Sequence, residues 1–81
     1  MSEARKPDTS SSEGNRLIRL RDVQRLTGLS RSYIYDLVSR QILPQPIKLV
    51  PGGTSRAWVE AEILAWVEQR IAERDQEVAN A

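Results

Sequence analysis

The chain contains no cysteine and no histidine. That removes thiolate and imidazole metal ligands, thiol nucleophiles and the side chain that most readily shuttles protons near neutral pH. Catalysis would have to rest on carboxylates, lysine, serine, threonine or tyrosine, and no constellation of these emerges beyond carboxylates scattered along a helix, so an enzyme is not expected. No disulfide framework exists to staple a secreted mini-protein, which makes a reducing cytoplasm the expected home. No apolar run approaches the ~20 residues needed to span a bilayer, and the first residues lack the hydrophobic stretch of a secretory signal. With 81 residues, 40% of them hydrophobic, the chain holds one small core and no deep pocket for a cofactor. No cofactor and no metal are expected.

What is present is charge, unevenly placed. The formal net charge is only +1. From Asn15 to Trp58, however, eight basic residues stand against two aspartates, a net of +6, and from Val59 to Ala81 two arginines stand against six carboxylates, a net of −4. A basic body followed by an acidic helix points to a polyanionic partner that meets the body alone.

The pattern of apolar residues divides the chain into elements. Met1 to Asn15 carries a serine run, a proline and a glycine with almost nothing apolar, and reads as a disordered tail over residues 1–15. Leu17 to Leu20 alternates briefly and predicts an edge strand leading into a first helix near Arg21. Val23 and Leu26 share a face of that helix, Gly28 supplies the left-handed residue that ends it, and Ser30 caps the next. Leu29, apolar inside the turn, packs into the angle between the helices. The second helix, Arg31 to Arg40, puts Ile34, Leu37 and Val38 on one stripe. Arg31, Ser32, Tyr33, Tyr35, Asp36, Ser39 and Arg40 then face outward or flank it, a polar, basic-edged set suited to a DNA groove. Ile42, Leu43, Pro44 and Pro46 end the helix and force extended backbone. Ile47 to Val50 and Arg56 to Val59 read as two strands joined by the turn Pro51-Gly52-Gly53-Thr54. No Gly-Lys-Ser/Thr follows these glycines, so the turn is a hairpin tip and not a nucleotide-binding loop. A last helix from about Glu60 to Asp75 carries Ile63, Trp66, Val67 and Ile71 at helical spacing, and residues 76–81 are expected to fray. Trp58 and Trp66 fall in phase with apolar neighbours and read as core packing, not as a base-stacking platform.

The predicted class is therefore mainly α with a small β-hairpin wing: a winged helix-turn-helix domain over residues 16–75. The ordered set Leu26-Thr27-Gly28-Leu29-Ser30-Arg31-Ser32, Ile34-Tyr35, Leu43-Pro44-Gln45-Pro46-Ile47-Lys48-Leu49, Ala57-Trp58-Val59-Glu60, Glu62-Ile63 and Ala65-Trp66 resembles the AlpA family of small phage and mobile-element regulators. That family is similar in turn to the excisionases and to the MerR-type winged-helix domain. The resemblance implies double-stranded DNA as partner, with the helix Arg31 to Arg40 in the major groove and the wing on the backbone or an adjacent minor groove. It implies a role in transcription regulation, in directing an integrase toward excision, or both, with an integrase or RNA polymerase as protein partner and the bacterial nucleoid as location. The sequence departs from the family pattern at Asp36, where relatives more often carry a basic or neutral residue. It departs again at the wing, where the single Arg56 replaces a more basic run.

On a helical wheel Ser32, Asp36 and Ser39 point away from the apolar stripe and are expected to face base edges, with Arg31, Tyr35 and Arg40 on phosphates. Arg19, Arg21, Lys48, Gly53, Thr54, Ser55 and Arg56 form the expected wing and flank contacts. The competing reading, a protein-interaction module that kept the fold, predicts apolar residues on the outward face of the second helix; only Tyr33 and Tyr35 qualify. A unit this small covers little DNA, so several copies on adjacent sites are expected. With no long heptad-bearing helix in view, a stable coiled-coil dimer is not expected. Head-to-tail contacts from Glu68, Glu73, Asp75 or Glu77 to the wing around Lys48 and Arg56 of the next copy are the alternative, against the plainer reading that these carboxylates only keep the helix soluble.

Overall fold

The computed structural model describes residues 16–80, which form three helices and a three-stranded antiparallel sheet. In chain order these are β1 (Leu17–Ile18), α1 (Leu20–Thr27), α2 (Arg31–Ser39), β2 (Ile47–Lys48), β3 (Arg56–Val59) and α3 (Glu60–Asn80). The strand order is β1-β3-β2, with Ile18 opposite Trp58 on one side of β3 and Lys48 opposite Arg56 on the other. The result is a mainly α protein with a β wing, as the residue pattern predicts. The expected tail over residues 1–15 lies outside the described residues.

The helix-turn-helix corner closes by local chemistry. Gly28 adopts φ 75° and its N–H donates to the Gln24 carbonyl at 2.7 Å. The Thr27 hydroxyl donates to the Val23 carbonyl and accepts from the Leu29 N–H, which ties the turn down from inside. Ser30 Oγ accepts from the Tyr33 N–H at 3.2 Å, capping α2. Ile18, Val23, Ile34, Leu37, Leu43, Trp58 and Ile63 make the core, with Leu20, Leu29, Val38 and Trp66 packed against it. Leu26, expected beside Val23 on the buried face, is instead 40% exposed. The two lie only about 60° apart around the helix, but Leu26 is nearly a turn further along it, and the short core reaches only as far as Val23.

Two indoles hold the segment after α2. Trp58, 1% exposed, donates from Nε1 to the Pro44 carbonyl at 3.0 Å, and Trp66 donates from Nε1 to the Ile42 carbonyl at 2.9 Å. Both tryptophans therefore serve packing, and each ring nitrogen is satisfied by a backbone acceptor. The helix ends before the prolines act. Gln41 takes φ 58°, its N–H bonds the Val38 carbonyl, and the Ile42 N–H bonds the Leu37 carbonyl. This is a Schellman closure with glutamine where glycine is usual. Gln41→Gly should therefore raise the free energy of unfolding by about 0.5–1 kcal/mol, the left-handed strain relieved less the entropy that glycine adds to the unfolded chain. A higher urea midpoint at unchanged slope is the expected result, and a lower one would show that the glutamine side chain contributes more than its backbone costs.

Two further expectations are corrected. The strand expected over Ile47 to Val50 spans only Ile47–Lys48, because Pro51 and Gly52 at φ 78° pull the chain into a turn closed by Gly53 N–H on the Val50 carbonyl at 2.9 Å. The last helix does not fray after Asp75 but runs to Asn80. Residues 68–80 are all exposed, so tertiary burial does not hold these last turns, about three and a half of them. Good helix formers and the pairs Arg70–Glu73, Gln69–Glu73 and Arg74–Asp75 do. Among the described residues, no helix is long and apolar enough to cross a membrane.

Candidate nucleic-acid interface

The start of α1, the start of α2 and the wing converge on one open hollow. Arg19 and Arg21 reach it from the entry to α1, Gln24 and Arg25 from the next turn, Arg31 and Tyr35 from α2, and Thr54 and Arg56 from the wing, with Leu20 and Trp58 contributing apolar wall. Five arginines thus line a single concavity beside one acidic residue, Asp22. Asp22 is already engaged: it accepts from the Arg19 N–H at 3.1 Å and from Arg25 Nη1 at 3.4 Å. It can neutralise only part of the charge around it. The positive end of the α2 dipole adds to the field where Arg31 enters.

Arg56 stands out among the five. Its Nη1 is buried and has no hydrogen-bond partner among the described residues. In the sheet it lies directly opposite Lys48, a like-charge pairing that a ladder chosen for stability alone would avoid. A buried, unpaired guanidinium donor in a hollow of like charge is costly unless an anion completes it. The floor beneath it is rigid, because the Trp58 ring is buried and packs 6.3 Å from the Tyr35 ring at a tilt of 50°. Tyr35 therefore comes to the hollow from a fixed base.

The site residues expected from sequence separate into two groups. Arg19, Arg21, Arg31, Tyr35, Thr54 and Arg56 come together in the hollow. Ser32, Tyr33, Asp36, Ser39 and Arg40 are exposed on α2 but do not line it. Within this second group the side chains partly satisfy one another. Arg40 Nη1 sits 3.2 Å from Asp36 Oδ2, and the Ser39 hydroxyl donates to the Asp36 carbonyl at 2.7 Å. Lys48, Gly53 and Ser55 belong to the wing outside the hollow; Ser55 serves it structurally, through its carbonyl on the Leu49 N–H. Gln24 and Arg25 were not among the expected site residues. Arg25 follows Arg21 by four positions, the spacing that stacks two side chains on one helical face.

The family model described as "Prophage CP4-57 regulatory protein (AlpA)" matches residues 16–71. The chain belongs to the AlpA family. The matched stretch contains every residue of the arginine hollow and both tryptophans that hold the segment after α2. A curated relative, the uncharacterized protein ORF88 of Enterobacteria phage P4, is 42% identical over 59 residues, which cover 73% of this chain and 65% of the relative. The alignment thus spans slightly less than two thirds of that phage protein's length. No solved structure matches the chain.

Proposed function

We propose that this AlpA-family protein binds double-stranded DNA sequence-specifically, with α2 in the major groove and the wing against the backbone, and regulates transcription or excision of a mobile element. The observation that carries this reading is the hollow itself: four arginines around a fifth, Arg56, whose buried Nη1 has no partner among the described residues. The spacing of phosphates along a strand suits such an open, predominantly positive surface better than a small ligand does. In this reading the hollow takes the backbone, and the exposed ridge Ser32, Asp36 and Ser39 reads bases, with Asp36 Oδ1 left to accept from a cytosine amino group. The binding unit is residues 16–75, with the rest of α3 as an extension. An integrase or RNA polymerase is the expected protein partner, and no catalytic chemistry is assigned.

The acidic helix bears on how copies assemble. Glu73 and Asp75 are held by arginines of their own helix. Glu68 and Glu77 have no partner among the described residues and remain the carboxylates best placed for a head-to-tail contact with the wing of a neighbouring copy.

Selecting bound sites from a random DNA pool with purified protein tests the main reading. A defined motif should emerge, with the logarithm of affinity falling against the logarithm of salt at about −0.9 for each of roughly four to seven phosphates contacted. Asp36→Ala should alter the selected motif while leaving the salt slope in place. Failure to bind any DNA, or binding indifferent to salt, would overturn the proposal.

A further inference from the structure

We infer that α3 is a self-pairing surface, on which two copies of the chain lie side by side and parallel along a stripe formed by Leu64, Ile71 and Val78. These residues are spaced by seven, and they remain 43%, 39% and 68% exposed. The helix that carries them is unbroken to Asn80, longer than the residue pattern suggests, and every described residue from 68 onward is exposed. A seven-residue apolar repeat on an uncovered helix is the pattern that a partner helix fills.

The chemistry of the stripe selects the partner. If Leu64, Ile71 and Val78 take the first core position of the repeat, Val67 and Arg74 take the second. In a parallel pair each apolar residue meets its own counterpart, Arg74 meets Arg74 with its charge offset by its own Asp75, and Arg70 of one copy, paired in its own helix with Glu73, faces Asp75 of the other, five residues on. In an antiparallel pair Ile71 would face Arg74, and Glu68 would face Asp75, like charge against like. β-Branched Ile71 and Val78 at the first core position are the residue type that two parallel strands favour there. Arg74 is already neutralised by Asp75 at 2.7 Å, so one cation per helix enters the seam paired. Leu64, Ile71 and Val78 lie about 100°, 80° and 60° around the helix from Ile63, the residue that anchors α3 to the core. Ile71 and Val67 border a shallow hollow shared with Leu26 and Leu29 of the body, so a partner helix meets α3 first beyond it, along the exposed turns from residue 72 to Asn80.

The seam covers roughly two and a half heptads, fewer than the three to four of a free-standing coil. Pairing is correspondingly weak, and covalent trapping is the appropriate readout. Because the chain has no native cysteine, single-cysteine variants report contacts without background. In the full chain, free of DNA and under mild oxidation, Ile71→Cys and Val78→Cys should each form disulfide dimers at least tenfold faster than Gln69→Cys, which is also exposed but on the outer face. Adding Arg70→Glu to Ile71→Cys should slow dimer formation several-fold, and adding Asp75→Arg to that pair should restore it. Equal rates at positions 69, 71 and 78 would overturn the inference, as would rapid crosslinking between Val67→Cys and Val78→Cys variants with none between two Ile71→Cys chains. A head-to-tail contact of Glu68 and Glu77 with a neighbour's wing brings no two α3 positions together, and so gives equal, slow rates at positions 69, 71 and 78. Since no DNA is present, this experiment and the site selection fail independently.

Discussion

Arg56→Met should make the free protein more stable and a DNA-binder at least tenfold weaker. The two effects have one cause. The Arg56 Nη1 is buried without a partner among the described residues, in a hollow that four other arginines share and opposite Lys48 in the sheet. An unsatisfied buried donor costs about 1–3 kcal/mol, and more when charged; the figure is discounted here because the residue as a whole is only partly buried. Methionine keeps the aliphatic stem against the wing, removes the orphan donor and lowers the repulsion among like charges. The same change deletes the group aimed at a phosphate. A tenfold loss is about 1.4 kcal/mol, and the salt slope should fall by close to one contact, ~0.9. Urea unfolding and a salt titration of DNA binding on the same preparation measure both. A variant that is stabilised yet binds as tightly as before would remove Arg56 from the interface, and one that is destabilised would mean that the guanidinium has a structural partner.

The helix-turn-helix was legible in the residues because everything that makes it is local. Gly28 needs only its own φ, Ser30 only the N–H three residues on, and Ile34 and Leu37 only the helical period. β1, β3 and the turn between the wing strands were legible for the same reason, as was the basic character of the body. The hollow was not. Arg19, Arg21, Arg25, Arg31 and Arg56 come from three elements, and their convergence depends on the sheet register that sets Arg56 beside α1 and α2. Counting charge located the basic segment without saying which side chains meet. Gln41 escaped notice because nothing distinguishes a glutamine forced into the left-handed region from one that is not; the nearby prolines offered a more obvious stop. Leu26 and Ile71 were assigned to buried stripes by periodicity, yet a core this small ends before it reaches them. The length of α3 was missed in turn because burial was taken as the condition for order, whereas that segment is ordered by propensity and side-chain pairs.

Trp58→Ala should leave little or no folded protein. Truncating a buried aromatic costs about 3–5 kcal/mol, and a body of this size, at ~0.05–0.15 kcal/mol per residue, has roughly 3–10 kcal/mol in total. Trp58 is central in a specific sense. It sits on the middle strand opposite Ile18, belongs to the buried cluster with Ile34 and Ile63, and donates to Pro44, so one residue joins the sheet, all three helices and the segment after α2. Trp58→Phe separates packing from hydrogen bonding. It keeps an aromatic ring but removes the Nε1 donor, which costs about 0.5–1.5 kcal/mol for the lost bond and more where the smaller ring leaves space. The variant should fold, with a lower urea midpoint. Its second effect is functional. Tyr35 packs 6.3 Å from the Trp58 ring and lines the arginine hollow, so loosening that base should weaken DNA binding by more than the shift in the folded fraction explains. Affinity measured well below the unfolding transition tests this point. If Trp58→Phe binds DNA as the native chain does once fully folded, Tyr35 is positioned by its own helix and not by the tryptophan beneath it.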